Sequence, residues 1–263
     1  MDHKMKISQI GNGFVGSALN KSFYLNGINI KIYDKYQNIG KIEETLDSKV
    51  IFFCLPTPYL DGVGYDLSAI EENLLKLKEN KYNNLVVIKS TVLPGTCRSL
   101  EKKYGIKIVH NPEFLTERTA FEDFHNQQHI VLGFNSKIDK SIVSLYKKTY
   151  PDAKISICTS DESESMKMFC NTFYAVKIQI FNEFYLLCKT LNIDFNNVKD
   201  LMLKNGWINP MHTNIPGPDG SLSYGGHCFP KDTSALLEQM IKLNTPNEVL
   251  SGCVLERNKM RKD

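Results

Sequence analysis

The run Lys6-Ile7-Ser8-Gln9-Ile10-Gly11-Asn12-Gly13-Phe14-Val15-Gly16 sets a short apolar strand pattern directly before three glycines spaced G-x-G-x-x-G. A helix-length amphipathic segment, Phe14–Asn26, overlaps the end of the motif. Each glycine has its own task in that setting. Gly11 permits a tight turn, Gly13 lets the backbone approach a pyrophosphate, and Gly16 lets helix and strand pack closely. The start of the helix then turns unpaired N–H groups toward negative charge. Asp34 closes the next strand-like run 18 residues after Gly16, where a carboxylate accepts hydrogen bonds from a ribose and repels a 2′-phosphate. The combination favours NAD over NADP, with Lys35 weakening the exclusion slightly. A glycine-rich turn without a ligand is the competing reading, and strand, glycines, helix and acid together argue against it. Gly11, Gly13, Phe14, Val15, Gly16 and Asp34 are therefore the cofactor-binding candidates.

Apolar strand-like runs recur at Ile28–Tyr33, Val50–Leu55, Leu85–Lys89, Ile106–Val109, Ile130–Phe134 and Lys154–Cys158. Helix-length segments lie between most of them, at Leu67–Asn80, Gly95–Tyr104 and Lys137–Thr149. Such alternation, with nearly continuous apolar strands, predicts a parallel sheet covered on both faces. The pattern changes near residue 159. From Ser160 to Leu191 there is neither Gly nor Pro, and persistent helical spacing predicts one helix about 46 Å long. Asn196–Lys204, Lys231–Leu243 and Pro246–Lys262 read as further helices, while Asn205–Gly226 is too rich in glycine and proline for a regular element. The expected fold class is α/β: a doubly wound Rossmann-type NAD-binding domain, residues 1–158, followed by a mostly helical domain, 159–263, with one long central helix. Ligands of such sheets bind outside the carboxyl ends of the strands, so an active site is expected in the cleft between the domains.

With 42% hydrophobic, 23% charged and 10% aromatic residues over 263 positions, the composition is that of a globular protein rather than a disordered or collagen-like chain. Lys and Arg number 32 against 29 Asp and Glu, too balanced to point to a nucleic-acid partner. Seven scattered cysteines without a C-x-x-C pair argue against a disulfide framework or structural zinc and for a reducing compartment. The strand pattern begins by residue 6 and leaves no room for a signal peptide, and no apolar run approaches the roughly 20 residues of a membrane helix. A cytoplasmic protein without nucleic-acid, membrane or metal partners is expected. His227 and His212 have no carboxylate or Cys at ligand spacing.

Cys228 carries the chemistry that the residues themselves point to. It follows Gly225-Gly226 and precedes Phe229-Pro230-Lys231, a tight bend open to a ligand, with Lys231 or Lys167 as nearby cations that favour a thiolate. A thiolate beside NAD points to aldehyde chemistry: addition to the carbonyl, hydride loss from the thiohemiacetal, and hydrolysis of the thioester. Cys54, Cys97, Cys158, Cys170, Cys188 and Cys253 read instead as small buried hydrophobes. Lys167 and Asn171 lie one helical turn apart on one face, an ammonium and an amide suited to an oxyanion, although a solvated helix surface is the ordinary reading for such a pair. Trp207 is expected to pack.

Tyr224-Gly225-Gly226-His227-Cys228-Phe229-Pro230-Lys231-Asp232 resembles the signature around the nucleophilic cysteine of the UDP-glucose/GDP-mannose dehydrogenase family. Ile10–Gly16, Cys54–Pro58, Ser90–Thr96, Asn111–Glu117, Glu164, Lys167, Asn171 and Lys177–Glu183 resemble the same family in the same order. The resemblance implies that Lys167 and Asn171 contact the reacting hydroxyl or oxyanion. It also places Glu113, Phe114 and Leu115 beside the sugar, and has Glu117 and Asp232 act on water or proton transfers. Thr91 is implied at the nicotinamide and catalytic water, and Thr57 and Glu117 along the cofactor. Gly217, in Ile215–Gly220, and Gly225 are implied at the substrate. The activity implied is four-electron oxidation of a nucleotide-sugar C6 alcohol by NAD, with UDP-glucose the first-choice substrate and GDP-mannose or a UDP-N-acetylhexosamine the alternatives. The long helix is implied to form a homodimer. Family members continue with a further C-terminal domain, so two rival expectations stand: a catalytically silent NAD-binding protein, and a subunit whose lid comes from a separate polypeptide.

Overall fold

A computed structural model describes residues 5–262. Its residues form two compact units, one reaching Pro58 and resuming over Tyr65–Lys167, the other formed by Tyr59–Gly64 and the chain from Met168 onward.

The first unit is built on a seven-stranded sheet. Its strands are β1 (Ile7–Ile10), β2 (Lys31–Tyr33), β3 (Val50–Phe53), β6 (Leu85–Ile88), β7 (Lys107–His110), β8 (His129–Phe134) and β9 (Lys154–Thr159), in the order β2-β1-β3-β6-β7-β8-β9. The order turns at β1, which sends the chain to β2 on one side and β3 on the other and opens a crevice at its carboxyl end. Alternation along the strands divides the core into two layers. Val50 and Phe52 pack with Leu19, Phe23, Phe124 and Tyr146 on one face, and Ile51 and Phe53 with Leu74, Leu77 and Leu100 on the other. The helices responsible are α1 (Phe14–Leu25), α4 (Ala120–His125) and α5 (Lys140–Thr149) on the first face, and α2 (Ser68–Glu79) and α3 (Thr96–Tyr104) on the second. The doubly wound sheet expected from the alternation is present.

The structure corrects its parallel character in one place: β7 and β8 pair antiparallel, while β8 and β9 are again parallel. The connection explains the reversal. α4 has only six residues and rises about 9 Å, too little to carry the chain back along the sheet, so β8 starts from the end where β7 stopped.

The second unit begins within α6 (Ser160–Thr190), which matches the long helix expected, and adds α7 (Phe195–Lys204), α8 (Phe229–Lys242) and α9 (Glu248–Met260). The hairpin of β4 (Tyr59–Leu60) and β5 (Gly64–Tyr65) was not legible in the sequence. Its Tyr59 hydroxyl donates to Glu238 Oε2 on α8 at 3.0 Å, and Lys242 Nζ donates to the Gly62 carbonyl. Polar side chains of α6 tie down the glycine-rich loop that no regular element claims. Lys177 donates to the carbonyls of Asn209 and Met211, Asn182 accepts from Ser223 N at 2.9 Å, and Gln179 accepts from Ser223 Oγ. Trp207 does not pack as expected: it is 91% exposed, and Ile208 and Ile215 instead join Phe181, Cys188 and Phe195 in the local core. Among the described residues, no helix is long and apolar enough to cross a membrane.

Glu164, fully buried, accepts from Gly95 N at 2.6 Å and Cys97 N at 2.7 Å. It thereby caps α3, whose own N-cap Gly95 has no side chain to do so. Burial raises its carboxyl, while those N–H bonds oppose the rise. Glu164→Ala leaves one buried and one half-buried donor without partners and is expected to destabilise the protein by about 2 kcal/mol, read as a lower urea midpoint. An unchanged midpoint contradicts the cap.

Candidate active site

The three glycines of the first loop separate by what surrounds them. A Cβ on Gly11, whose φ is +90°, would meet the Cys54 carbonyl oxygen at 2.3 Å, and one on Gly16 would meet the Gly11 carbonyl oxygen at 2.3 Å. Gly13 has nothing within 4 Å of a Cβ, so it is the glycine that leaves open space. It is also the N-cap of α1, with no side-chain cap and no acid in the first helical turn. An uncapped helix start behind an open backbone suits the pyrophosphate of a dinucleotide. Phe14 and Val15 begin that turn, Phe14 being 38% exposed.

Asp34, which follows β2, is buried and makes more of the loop than the ribose argument supposed. Its Oδ2 accepts from Asn12 N at 2.6 Å and its Oδ1 from Tyr36 N and Gln37 N, both at 2.9 Å. The carboxylate thus ties the glycine loop to the turn after β2, filling much of its acceptor capacity with backbone donors. Gln9 and Gln37 reinforce it, donating to the carbonyls of Gly11 and Asn12. Lys35 pairs with Glu72 at 3.0 Å, so its charge is already matched.

The next strand ends bring together Thr57 and Thr91, both buried, with Thr57 Oγ1 donating to the Thr91 carbonyl at 2.8 Å. After β7 the chain turns through Asn111-Pro112-Glu113. Lys167 Nζ donates to the Glu113 carbonyl, stands 3.5 Å from Glu113 Oε1 and lies 5.0 Å from the Phe114 ring centroid. Glu113 Oε2 accepts from Leu115 N at 2.6 Å, and Leu115 packs against the sheet core. Glu113 and Glu117 therefore differ in setting: the first is buried beside a lysine, the second is exposed at the start of a 3-10 turn, Glu117–Thr119.

The second unit holds its own cluster. Cys228, partly exposed, is the N-cap of the 14-residue α8, a place where the positive end of the helix dipole favours a thiolate over a thiol. One turn later Asp232, fully buried, donates its N–H to the Cys228 carbonyl at 3.0 Å. Its Oδ2 accepts from Asn171 Nδ2 at 2.6 Å and its Oδ1 from Lys231 Nζ at 2.5 Å. Two candidates read from separate motifs thus touch, and Lys231 is committed to Asp232. By contrast, burial pushes the Cys253 thiol up to about 11 and also raises Cys97, which fits their reading as packed side chains.

Gly225 and Gly217 meet through one arginine. The Arg261 guanidinium occupies the space that a Cβ on Gly225 would need, and it pairs with Asp219, whose turn closes through Gly217 N to the Ser221 carbonyl at 3.0 Å. That pairing holds the Asp219 carboxyl below its usual range. Sequence reasoning missed Arg261, and it missed Lys89, which lies buried beside Asn111. A charged residue near a chain end or after a strand carries no signal of its own.

A doubly wound sheet with an uncapped, glycine-opened helix start defines the class: a dinucleotide-binding fold. Residues 39–150 match the UDP-glucose/GDP-mannose dehydrogenase family, NAD binding domain, and residues 161–259 match the same family's central domain. The chain belongs to the UDP-glucose/GDP-mannose dehydrogenase family, and its cofactor is NAD. It is 31% identical over 88% of its length to the UDP-glucose 6-dehydrogenase of Campylobacter jejuni, and spans 60% of that protein. Against the GDP-mannose 6-dehydrogenase of Pseudomonas aeruginosa it is 31% identical over 81% of its length, spanning 51% of the relative. The solved UDP-glucose dehydrogenase of Pyrobaculum islandicum superposes with a TM-score of 0.86 at 26% identity, over 98% of this chain and 68% of that one.

Gly13→Ala is expected to keep the unfolding midpoint and weaken NAD binding at least tenfold, measured by calorimetric titration, because only the ligand's space is filled. Gly16→Ala is expected to lower the midpoint itself. Unaltered NAD affinity in Gly13→Ala contradicts the assignment.

Proposed function

We propose that this protein is a nucleotide-sugar 6-dehydrogenase acting on UDP-glucose, with Cys228 as its nucleophile. The observation that carries the reading is Cys228 at the start of α8 with Asp232 one turn on, bonded to both Asn171 and Lys231. Bound NAD accepts the hydrides, one in each of two oxidations. The C6 alcohol loses a proton and a hydride to become an aldehyde, and Cys228 Sγ adds to its carbonyl carbon. Lys167 and Asn171 hold the resulting oxyanion by hydrogen bonds that strengthen as charge develops. Loss of the second hydride leaves a thioester. Thr91 positions the attacking water, and Glu117 or Asp232 takes its proton as the thiolate departs and the carboxylate is released. One water is consumed and two NAD are reduced for each acid formed.

Glu113, Phe114, Leu115, Gly217 and Gly225 line the substrate in this reading, and Thr57, Thr91 and Glu117 the cofactor. Equal identity to a UDP-glucose and a GDP-mannose enzyme keeps GDP-mannose as the alternative substrate. The exposed faces of Phe169, Phe173, Ile180, Phe184 and Leu187 on α6 support a homodimer through that helix, since a row of bare aromatic and aliphatic side chains calls for a partner surface.

Incubation with NAD and UDP-glucose is expected to yield two NADH per UDP-glucuronate, and Cys228→Ala to abolish the acid. Failure to reduce NAD with any UDP- or GDP-sugar contradicts the proposal. Light scattering at micromolar concentration is expected to give the mass of a dimer, reduced to that of a monomer in Phe173→Lys. A monomeric parent overturns the dimer.

A further inference from the structure

Two lysines, rather than one, lie in the interior of the first unit beside the Glu113 turn. Lys89, the residue after β6, is 3% exposed. Its Nζ donates to the Asn111 carbonyl at 3.0 Å and to Asn111 Oδ1 at 2.8 Å, and stands 5.3 Å from the Phe124 ring centroid. Asn111 is a junction. Its Nδ2 donates to the Val131 carbonyl at 2.8 Å, and the Tyr146 hydroxyl of α5 donates to its Oδ1. Lys89 immediately precedes Ser90-Thr91, and Asn111 precedes Pro112-Glu113. The lysine therefore cross-links the turn holding one site threonine to the turn whose carbonyl captures Lys167.

We propose that Lys89 is a positioning residue of this site: by gripping both the carbonyl and the side chain of Asn111, it fixes the Asn111–Glu113 turn and with it the oxygens that hold Lys167. The proposal rests on the dehydrogenase reading only where it assigns Lys167 to an oxyanion. A buried ammonium without an ion-paired carboxylate is costly, and its retention here has a use if its charge and three donors set the loop. The charged groups that face it are Glu113 and Lys167, and burial pushes the neighbouring Cys54 thiol up to about 12, which leaves it neutral. His110, pushed down to about 3 by burial, and Tyr146, pushed up by burial, are neutral neighbours. Burial draws the Lys89 ammonium down to about 8, with Glu113 opposing the fall and Lys167 adding to it. The charge is thus present below that pH and fades above it.

Protein carrying 13C at lysine Cε reads this linkage without turnover. The Lys89 signal, assigned by its absence in Lys89→Arg, is expected to titrate near pH 8, its midpoint falling in Glu113→Gln and rising in Lys167→Met. A midpoint that neither substitution moves overturns the proposal. With NAD and UDP-glucose, Lys89→Met is expected to lower kcat by about 10- to 100-fold with the KM for NAD little changed, and Lys89→Arg to recover most of the loss. The parent kcat is expected to fall through a limb near pH 8 that Lys89→Arg lacks. Equal kcat in Lys89→Met and the parent overturns the positioning role. Coupled titration in a protein that reduces no NAD with any nucleotide sugar supports the Lys89–Glu113–Lys167 linkage and counts against the dehydrogenase reading alone.

Discussion

Capture of loop backbone by polar side chains of one helix is the constraint on which both units depend. α6 runs for 31 residues and could have shed its polar groups into solvent. Instead Glu164 accepts the N–H groups that start α3, Lys167 donates to the carbonyl of Glu113, and Ser163 Oγ meets His110 Nδ1 at 2.8 Å. In the second unit Asn171 donates to Asp232, while Lys177, Gln179 and Asn182 hold the loop before Cys228. Buried polar groups must be paired, so Glu164, Lys167, Lys177, Gln179 and Asn182 fix stretches of loop and helix start with little regular hydrogen bonding of their own.

The sheet imposes the complementary constraint. Parallel strands of similar length end together, so their carboxyl ends place the glycine loop, Thr57, Thr91 and Glu113 on turns along one edge. Those turns are then cross-bonded: Asp34 to Asn12, Thr57 to Thr91, Ser90 to the Leu55 carbonyl, and Lys89 to Asn111. Site residues on such a lattice lose little entropy when a ligand arrives, because their backbone is already fixed. Within the second unit, Cys228 gains the same rigidity from its place at a helix start and from the Asp232 N–H that returns to its carbonyl.

Much of this was legible in the sequence because it follows from local pattern. The glycine spacing, Asp34 and the long helix are read from periodicity and turn chemistry, and all three are present. What escaped depends on partners far apart in the chain. Asn171 and Asp232 are 61 positions apart, so each motif marked a residue without showing that the two touch. The antiparallel β8 follows from the shortness of α4, which blends into a polar loop when read alone. Lys89 looks like the solvated end of a strand, and only its 3% exposure reveals it as interior. Trp207 reversed the usual expectation for a large aromatic, because Ile208 and Ile215 fill the local core instead.

The central claim, that individual side chains of α6 set individual loops, is tested most directly by hydrogen exchange read by mass spectrometry on Asn182→Ala. Asn182 is fully buried, and its Oδ1 accepts from Ser223 N. Faster exchange confined to the segment from Leu222 to Cys228, with Ser90–Cys97 and Asn111–Glu117 unchanged, is the outcome this account expects. Exchange that rises across the whole sheet, or nowhere, would contradict it.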